Sequence, residues 1–168
     1  LFAPQIAPFE PTKMHARDRL QGPSATYWLG TDESGRDLFS RILFGARISA
    51  VAAAAATALA LAVGIPVGLI GGYRGGFVDD VLMRVLDGFL AIPPVLLALT
   101  LLAALGPSQI NVILAVGALG MPLTARITRA SVLVEREKDY TFAARALGAT
   151  DRYIIWRILL PNSLPPLI

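Results

Sequence analysis

Long apolar stretches dominate the hydrophobic pattern of this chain. No charged residue occurs from Ile48 to Tyr73, and none occurs from Gly88 to Ala125. As a helix rising about 1.5 Å per residue, the first stretch would be roughly 39 Å long, whereas the hydrocarbon core of a bilayer is about 30 Å thick. A buried helix of a soluble protein is seldom so long and keeps a polar stripe. The pattern therefore predicts an all-α, polytopic transmembrane helical bundle.

Glycine and proline positions divide the apolar stretches. Three complete spans are predicted within residues 45–134, at about 46–72, 80–105 and 110–133. Pro93 and Pro94 remove two backbone donors from the second span, so this span should pack inside the bundle, where neighbouring helices cover the freed carbonyls. Tight turns are predicted at 71–76 and at 106–109.

A polar segment precedes the predicted spans. Residues 1–44 begin with the end of a preceding span and continue as an extracytoplasmic loop rich in proline and glycine. A short amphipathic helix over 37–44 is suited to the membrane interface, with Thr31 or Asp32 as its cap. Arg36 and Arg41 are expected to bind lipid headgroups or to pair with Asp37.

A second polar segment, residues 135–161, follows the spans. Gly148 separates two short helical patterns, Thr150 is the predicted N-cap of the second, and Pro161 is predicted to end it. Residues 162–168 read as the start of another span. The chain lacks an initial methionine and stops within an apolar stretch, so we expect a fragment of a longer protein.

Basic residues favour one orientation in the membrane. Three crossings place residues 4–44 and 135–161 on opposite faces. Six basic residues lie on the first side, at Lys13, Arg17, Arg19, Arg36, Arg41 and Arg47. Nine lie on the second side, at Arg74, Arg84, Arg126, Arg129, Arg136, Lys138, Arg145, Arg152 and Arg157. By the positive-inside rule, the 135–161 loop is predicted to be cytoplasmic.

Composition excludes several kinds of function. The chain has no cysteine, which argues against a disulfide scaffold, a thiolate metal site or a cysteine nucleophile. Its net charge is only +3, and its basic residues are not grouped with aromatic residues into one face. No nucleic-acid partner is therefore expected. No Walker-type glycine loop or catalytic constellation is present, so we expect a non-enzyme without catalytic residues or cofactor.

Acidic residues offer two further candidates. Asp32, Glu33 and Asp37 could suggest a calcium site, but their order is wrong for an EF-hand loop, and no metal site is predicted. Asp87 is the deepest charge of the second span, and intramembrane acids are functional candidates. We expect it to pair with Arg84, Arg126 or Arg129, as a structural pair or gate element rather than a proton relay.

The most informative stretch lies in the 135–161 loop. Its residues are Phe142, Ala143, Ala144, Arg145, Ala146, Leu147 and Gly148, followed by Ile158, Leu160 and Pro161. Small side chains leave a helix surface that fits deep in a groove, Gly148 permits a sharp turn, and Arg145 and Arg152 can pair with acids at the groove's rim. Many ordinary hairpins also join two helices through glycine, so these features alone do not identify a docking segment.

The spacing of this stretch resembles the cytoplasmic loop of binding-protein-dependent ABC importer permeases. The family pattern is Glu-Ala-Ala, three residues, Gly, nine residues, Ile, one residue, Leu-Pro. Six residues fall on it, namely Ala143, Ala144, Gly148, Ile158, Leu160 and Pro161. Phe142 stands where the family has glutamate. In the family this loop is the coupling helix, which inserts into a cleft on the ATPase subunit, and the resemblance implies that role here.

A second informative stretch precedes the first complete span. Its residues are Gly30, Thr31, Asp32, Gly35, Arg36, Asp37 and Arg41. They resemble the segment before the second span in the dipeptide, oligopeptide and nickel permease group, above all in the "C" partner of its paired permeases. The resemblance covers essentially the whole chain. It implies a type I-like permease fold with further spans on either side.

The resemblance also implies a function. We expect a permease subunit of an ATP-driven importer in the bacterial inner membrane, working with a second permease subunit, two ATPase subunits and an extracytoplasmic solute-binding protein. Di- or oligopeptides are the expected cargo. The alternatives are another cargo (nickel, sugars or amino acids) and, less favoured, a gradient-driven secondary transporter, against which the scarcity of charge between Gly88 and Ala125 speaks.

Overall fold

A computed structural model describes residues 3–167 of the chain, and within them the regular structure is helical apart from one isolated bridge. The helices are α1 (Ala3–Ile6), α2 (Leu38–Arg74), α3 (Gly76–Ala91), α4 (Pro94–Leu105), α5 (Gln109–Glu135), α6 (Asp139–Ala146), α7 (Asp151–Tyr153) and α8 (Leu160–Ser163). A π-helical segment, Ile154–Leu159, joins α7 to α8, and a short 3-10 helix, Pro165–Leu167, follows. The predicted all-α class is confirmed. Leu1, Phe2 and Ile168, which belong to the predicted flanking spans, lie outside the described residues.

Two single helices, α2 and α5, are long and apolar enough to cross a membrane. The second predicted span is instead the pair α3 and α4, which passes the same test only when taken together and is bent by 87°. The bend follows from the sequence around Pro93 and Pro94. A residue before proline is driven out of the helical region, and both Ile92 and Pro93 take extended ψ angles of 129°.

Helix α4 packs against α5 and is otherwise open. No residue of α4 is buried by the described part of the chain, and Val95, Leu96 and Leu99 are exposed. That neighbouring helices enclose this span in the membrane stays a prediction.

The start of α2 differs from the prediction. The proposed short helix over 37–44 is not a separate element but forms the first turns of α2. Its cap is Asp37, whose Oδ2 accepts a hydrogen bond from the Ser40 backbone N–H at 2.8 Å. Asp37 directly precedes the first helical residue, from where a side chain reaches the free N–H groups of the first turn. Neither Thr31 nor Asp32 has this position.

The predicted turn at 71–76 is also shorter than expected. Gly71 and Gly72 continue α2, and the break is confined to Gly75 and Gly76, whose φ angles are positive at 65° and 53°. Glycine at 72 serves packing instead, since a Cβ there would lie 2.9 Å from the Cβ of Val132. The turn predicted at 106–109 is confirmed, with Ser108 as N-cap of α5.

The chain divides into two compact units, one up to Ala53 and the other from Ala54 onward. The core of the second unit is formed by Leu69 of α2, Val132 of α5, and Ile154 and Leu159 of the π-helical segment. Small residues let α2 and α5 approach closely, as in many membrane helix pairs. A Cβ at Gly68 would lie 2.6 Å from that of Thr128.

Candidate functional site

The 135–161 segment folds as a pair of short helices around Gly148, and we call it the polar hairpin. Helix α6 ends at Ala146 with two closing hydrogen bonds. The Gly148 N–H donates to the Arg145 carbonyl at 2.9 Å, and the Ala149 N–H donates to the Ala144 carbonyl at 3.0 Å. This is the Schellman arrangement, which needs a left-handed residue, and Gly148 supplies it with a φ of +80°.

The second half of the polar hairpin begins as predicted and ends later than predicted. The Thr150 side chain accepts a hydrogen bond from the Tyr153 N–H at 3.3 Å, which confirms Thr150 as an N-cap. Pro161 does not end the helix, because α8 continues to Ser163. Proline is tolerated here because it lies in the first turn of α8, directly after the π-helical segment. In a first turn the backbone N–H that proline lacks is not needed for a helical hydrogen bond.

The turn of the polar hairpin is its most exposed part. Leu147 is 88% exposed and Phe142 is 48% exposed, although both are large and apolar. Ala143, Arg145 and Gly148 are exposed as well, whereas Ala144 is half-buried. A hollow of about 460 Å³ lies beside the turn, between Leu147 and Ile158. Exposed apolar residues rimmed by polar ones are typical of a protein-binding surface.

Two of the other predicted site residues attach the hairpin to the rest of the second unit. Ile158 and Leu160 pack against the core made by Leu69, Val132, Ile154 and Leu159. Pro161 is exposed. The structure thus divides the predicted motif into an exposed group around the turn and an apolar group that holds the hairpin on α2 and α5.

Polar contacts that the sequence did not reveal strengthen this attachment. The Tyr73 hydroxyl, at the end of α2, donates to Asp151 Oδ1 at 2.6 Å. The Arg145 guanidinium lies 5.5 Å from the centre of the Tyr73 ring, within cation–π range. The fully buried Thr141 hydroxyl donates to the Glu135 carbonyl at 2.9 Å. Arg136 Nη1 donates to the Gly72 carbonyl at 2.9 Å.

A charged cleft lies between α3 and α5. Asp87 forms an ion pair with Arg126, one of the three predicted partners. Arg129 pairs instead with the buried Asp79, with 2.6 Å between Arg129 Nε and Asp79 Oδ1. The cleft has a volume of about 420 Å³ and also includes Asp80. Asp79 was not singled out from the sequence, because nothing local distinguishes it from its neighbour Asp80.

The second motif forms a compact loop in the first unit. Arg36 and Arg41 both pair with Asp32, so neither pairs with Asp37, which was one of their two predicted partners beside lipid headgroups. Asp32 Oδ1 also accepts hydrogen bonds from the backbone N–H groups of Ser34 at 2.8 Å and Arg36 at 3.0 Å. The Arg36 backbone N–H contributes most to lowering the pKa of Asp32 to about 2. Burial is the second-largest effect and raises this pKa, and the Ser34 N–H and the Arg36 guanidinium lower it further.

Three other motif residues shape the same loop. Gly30 and Gly35 have positive φ angles of 77° and 73°. Thr31 accepts a hydrogen bond from the Gln21 N–H at 2.9 Å and donates to the Asp18 carbonyl. Of the motif residues, Gly35, Arg36 and Arg41 thus contact Asp32 directly. In residues 3–167, no group of three or more His, Asp or Glu side chains is placed to hold a metal ion.

Comparison with known proteins gives one family and a set of relatives. The family model described as "Binding-protein-dependent transport system inner membrane component" matches residues 64–168. The chain is 41% identical over 168 residues to the dipeptide transport system permease protein DppC of Alkalihalophilus pseudofirmus, covering 100% of this chain and 55% of the relative.

Other relatives are similar to the same extent. The probable D,D-dipeptide transport system permease protein DdpC of Escherichia coli is 42% identical, with 100% of this chain and 56% of the relative covered. The glutathione transport system permease protein GsiD of Pectobacterium atrosepticum is 38% identical, with 99% and 56% covered. The chain therefore spans about half the length of the curated relatives it matches.

Proposed function

Because the chain belongs to the family of binding-protein-dependent transport system inner membrane components, we propose that it is part of a permease subunit of an ATP-driven peptide importer. The subunit lies in the bacterial inner membrane as a multi-pass protein. It pairs with a second permease subunit, and solute is delivered by an extracytoplasmic binding protein.

The exposed turn of the polar hairpin carries the proposal for an ATPase partner. A turn that exposes Leu147 and Phe142 beside small residues offers an apolar contact in an otherwise charged segment. We propose that this surface docks into a cleft of a separate ATPase subunit, one ATPase for each permease. ATP hydrolysis takes place on that partner, and this chain binds and moves without performing chemistry.

The attachment of the hairpin explains how such docking would move the spans. Ile154 and Leu159 are fully buried against α2 and α5, and Tyr73 ties the end of α2 to Asp151. A displacement of the docked turn is therefore passed to both helices instead of being absorbed by a flexible loop. ATP-driven closure of the partner then shifts the equilibrium between inward- and outward-facing arrangements.

The cargo is proposed to be a di- or oligopeptide. The relatives named for dipeptides and glutathione support it. Residues 88–125 carry no charge, histidine or cysteine, and an apolar path without fixed ligands suits peptides of variable side chain better than it suits a nickel ion. The same lack of charge disfavours a gradient-driven secondary transporter, since such transporters use intramembrane ionisable groups.

Uptake measurements test the cargo. Cells with the intact gene should accumulate labelled di- and oligopeptides, and cells in which the gene is deleted should lose most of that uptake. Nickel uptake measured in the same cells is the control. If peptide uptake is unchanged while nickel uptake collapses, the peptide assignment is wrong and the family membership stands.

A further inference from the structure

An apolar groove runs along the outside of α2 in the second unit. Its wall on α2 extends from Ala58 to Leu69, and the facing wall is formed by Trp156, Leu160 and Leu164. The groove has a volume of about 470 Å³. The stretch from Ala58 to Leu69 is roughly 16 Å long as a helix, about half the thickness of a bilayer's hydrocarbon core. That length matches an acyl chain of a single leaflet.

A polar hollow of about 380 Å³ adjoins the groove, and Trp156 lines both. Its other lining residues are Thr150, Arg152, Tyr153 and Arg157. Within residues 3–167, neither Arg152 nor Arg157 forms an ion pair or a side-chain hydrogen bond. The hollow therefore offers two available guanidinium groups directly beside an apolar groove.

The π-helical segment explains why both arginines reach one hollow. In an α-helix, side chains five positions apart point about 140° away from each other. In a π-helix the backbone hydrogen bonds join residues five apart, so such residues lie closer to the same side of the helix than they do in an α-helix. The bond from the Leu160 N–H to the Ile155 carbonyl has this spacing. The segment separating Arg152 from Arg157 thus turns both toward the same side.

We propose that the groove and hollow together bind one anionic phospholipid. Its phosphate is held by Arg152 and Arg157, and one acyl chain lies in the groove against α2. Guanidinium groups bind phosphate oxygens in pairs, and tryptophan prefers the depth at which headgroups meet acyl chains. The inference rests on the proposed cytoplasmic side of the hairpin and is independent of the cargo.

The site gives bound lipid a direct mechanical role. Leu69 and Leu160 contribute both to the groove and to the packing that attaches the hairpin. A lipid in the groove therefore stiffens the contact between α2 and the hairpin at the place where docking force is transmitted.

Fluorescence quenching tests the proposal in the full-length protein, with Trp156 kept as its sole tryptophan. The protein is reconstituted in vesicles containing phosphatidylglycerol or phosphatidylcholine with brominated acyl chains, which quench a tryptophan in contact with them. We expect stronger quenching by the anionic lipid. Arg152→Gln with Arg157→Gln should lower the preference for phosphatidylglycerol about thirtyfold, because each basic residue contributes about fivefold to attraction of anionic lipid.

A matched control removes two exposed arginines from the same predicted side but outside the hollow. Arg74→Gln with Arg84→Gln should leave the preference unchanged. Ala62→Phe, which fills the groove and keeps both arginines, should reduce quenching by either lipid and provides a second test if the arginine variant fails to fold.

Three results would overturn the proposal. Equal quenching of the unmodified protein by both lipids would show that the hollow does not select charge. No quenching by either would show that protein covers the groove. Full relief of quenching by soluble glycerol phosphate would show a phosphate site that does not need the acyl chain.

Discussion

At the scale of single residues, Gly148 is required for its backbone conformation and not because a side chain would clash with neighbouring atoms. Nothing lies within 4 Å of a Cβ placed on Gly148, yet its φ of +80° is one that side-chain-bearing residues rarely adopt. The hydrogen bonds from Gly148 and Ala149 depend on that angle. The glycine is therefore needed for the direction of the turn, not for space.

We predict that Gly148→Val weakens binding of the ATPase partner without preventing membrane insertion. A β-branched residue at positive φ costs about 1–3 kcal/mol, so the turn that presents Leu147 would change its direction. Co-purification of the ATPase with the full-length variant measures the effect. Gly148→Asn is the matched control, since asparagine tolerates the left-handed region, and it should retain most binding. Undiminished recovery with Val, together with normal solute-stimulated ATP hydrolysis, would count decisively against a coupling role.

At the scale of elements, the contact between α2 and α5 depends on glycines of α2, whose lack of a side chain lets the two helices come close. Cβ atoms added at Gly64 and Gly68 would lie 2.7 Å from Thr124 Cβ and 2.6 Å from Thr128 Cβ. Both distances are far inside van der Waals contact. The helices are thus held at a separation that only glycine permits at these positions.

Gly68→Ala should lower the free energy of unfolding in detergent by about 1–3 kcal/mol, as overpacking of a close contact does. Gly88→Ala in α3 is the control, because nothing lies within 4 Å of its added Cβ. Both changes bring the same gain in helix propensity. The difference between their unfolding curves therefore isolates the clash, and equal curves would mean that α2 and α5 do not pack through Gly68.

At the scale of the whole molecule, orientation follows from the number of crossings and the distribution of arginines. Helices α2 and α5 each qualify as a crossing, and the bent pair α3 and α4 makes a third if it crosses as one unit. Three crossings leave the loop around Asp32 and the polar hairpin on opposite faces of the membrane. If the bent pair entered and left on the same side, those segments would share a face.

Labelling of introduced cysteines distinguishes the two arrangements. Glu33 and Arg145 are exposed, and the 168 residues contain no cysteine. In a full-length protein cleared of any other cysteine, Glu33→Cys should react with an impermeant reagent added to intact cells. Arg145→Cys should react only after the cells are opened. Labelling of both from outside would overturn the arrangement with three crossings.

The features that the sequence alone determined are those that depend on nearby residues. Uncharged runs longer than a bilayer is thick predict spanning helices, and α2 and α5 follow them. Gly106, Gly148 and Thr150 act through hydrogen bonds to residues a few positions away, and the two turns and the Thr150 cap appear as predicted. The family resemblance could also be recognised from the sequence, because each of its two motifs lies within one short segment.

The tertiary structure decided the features that depend on distant partners. Asp79 and Asp80 are equivalent in sequence, and both line the charged cleft, but Asp79 is the one that forms hydrogen bonds to Arg129. Gly71 and Gly72 look like turn residues in the sequence, but both lie inside α2, where Gly72 faces Val132 of α5 and Gly71 faces Asp79 of α3. Both arginines pair with Asp32, whereas Asp37 is buried and caps α2. In each case the local sequence allowed several partners, and the geometry of packing selected one.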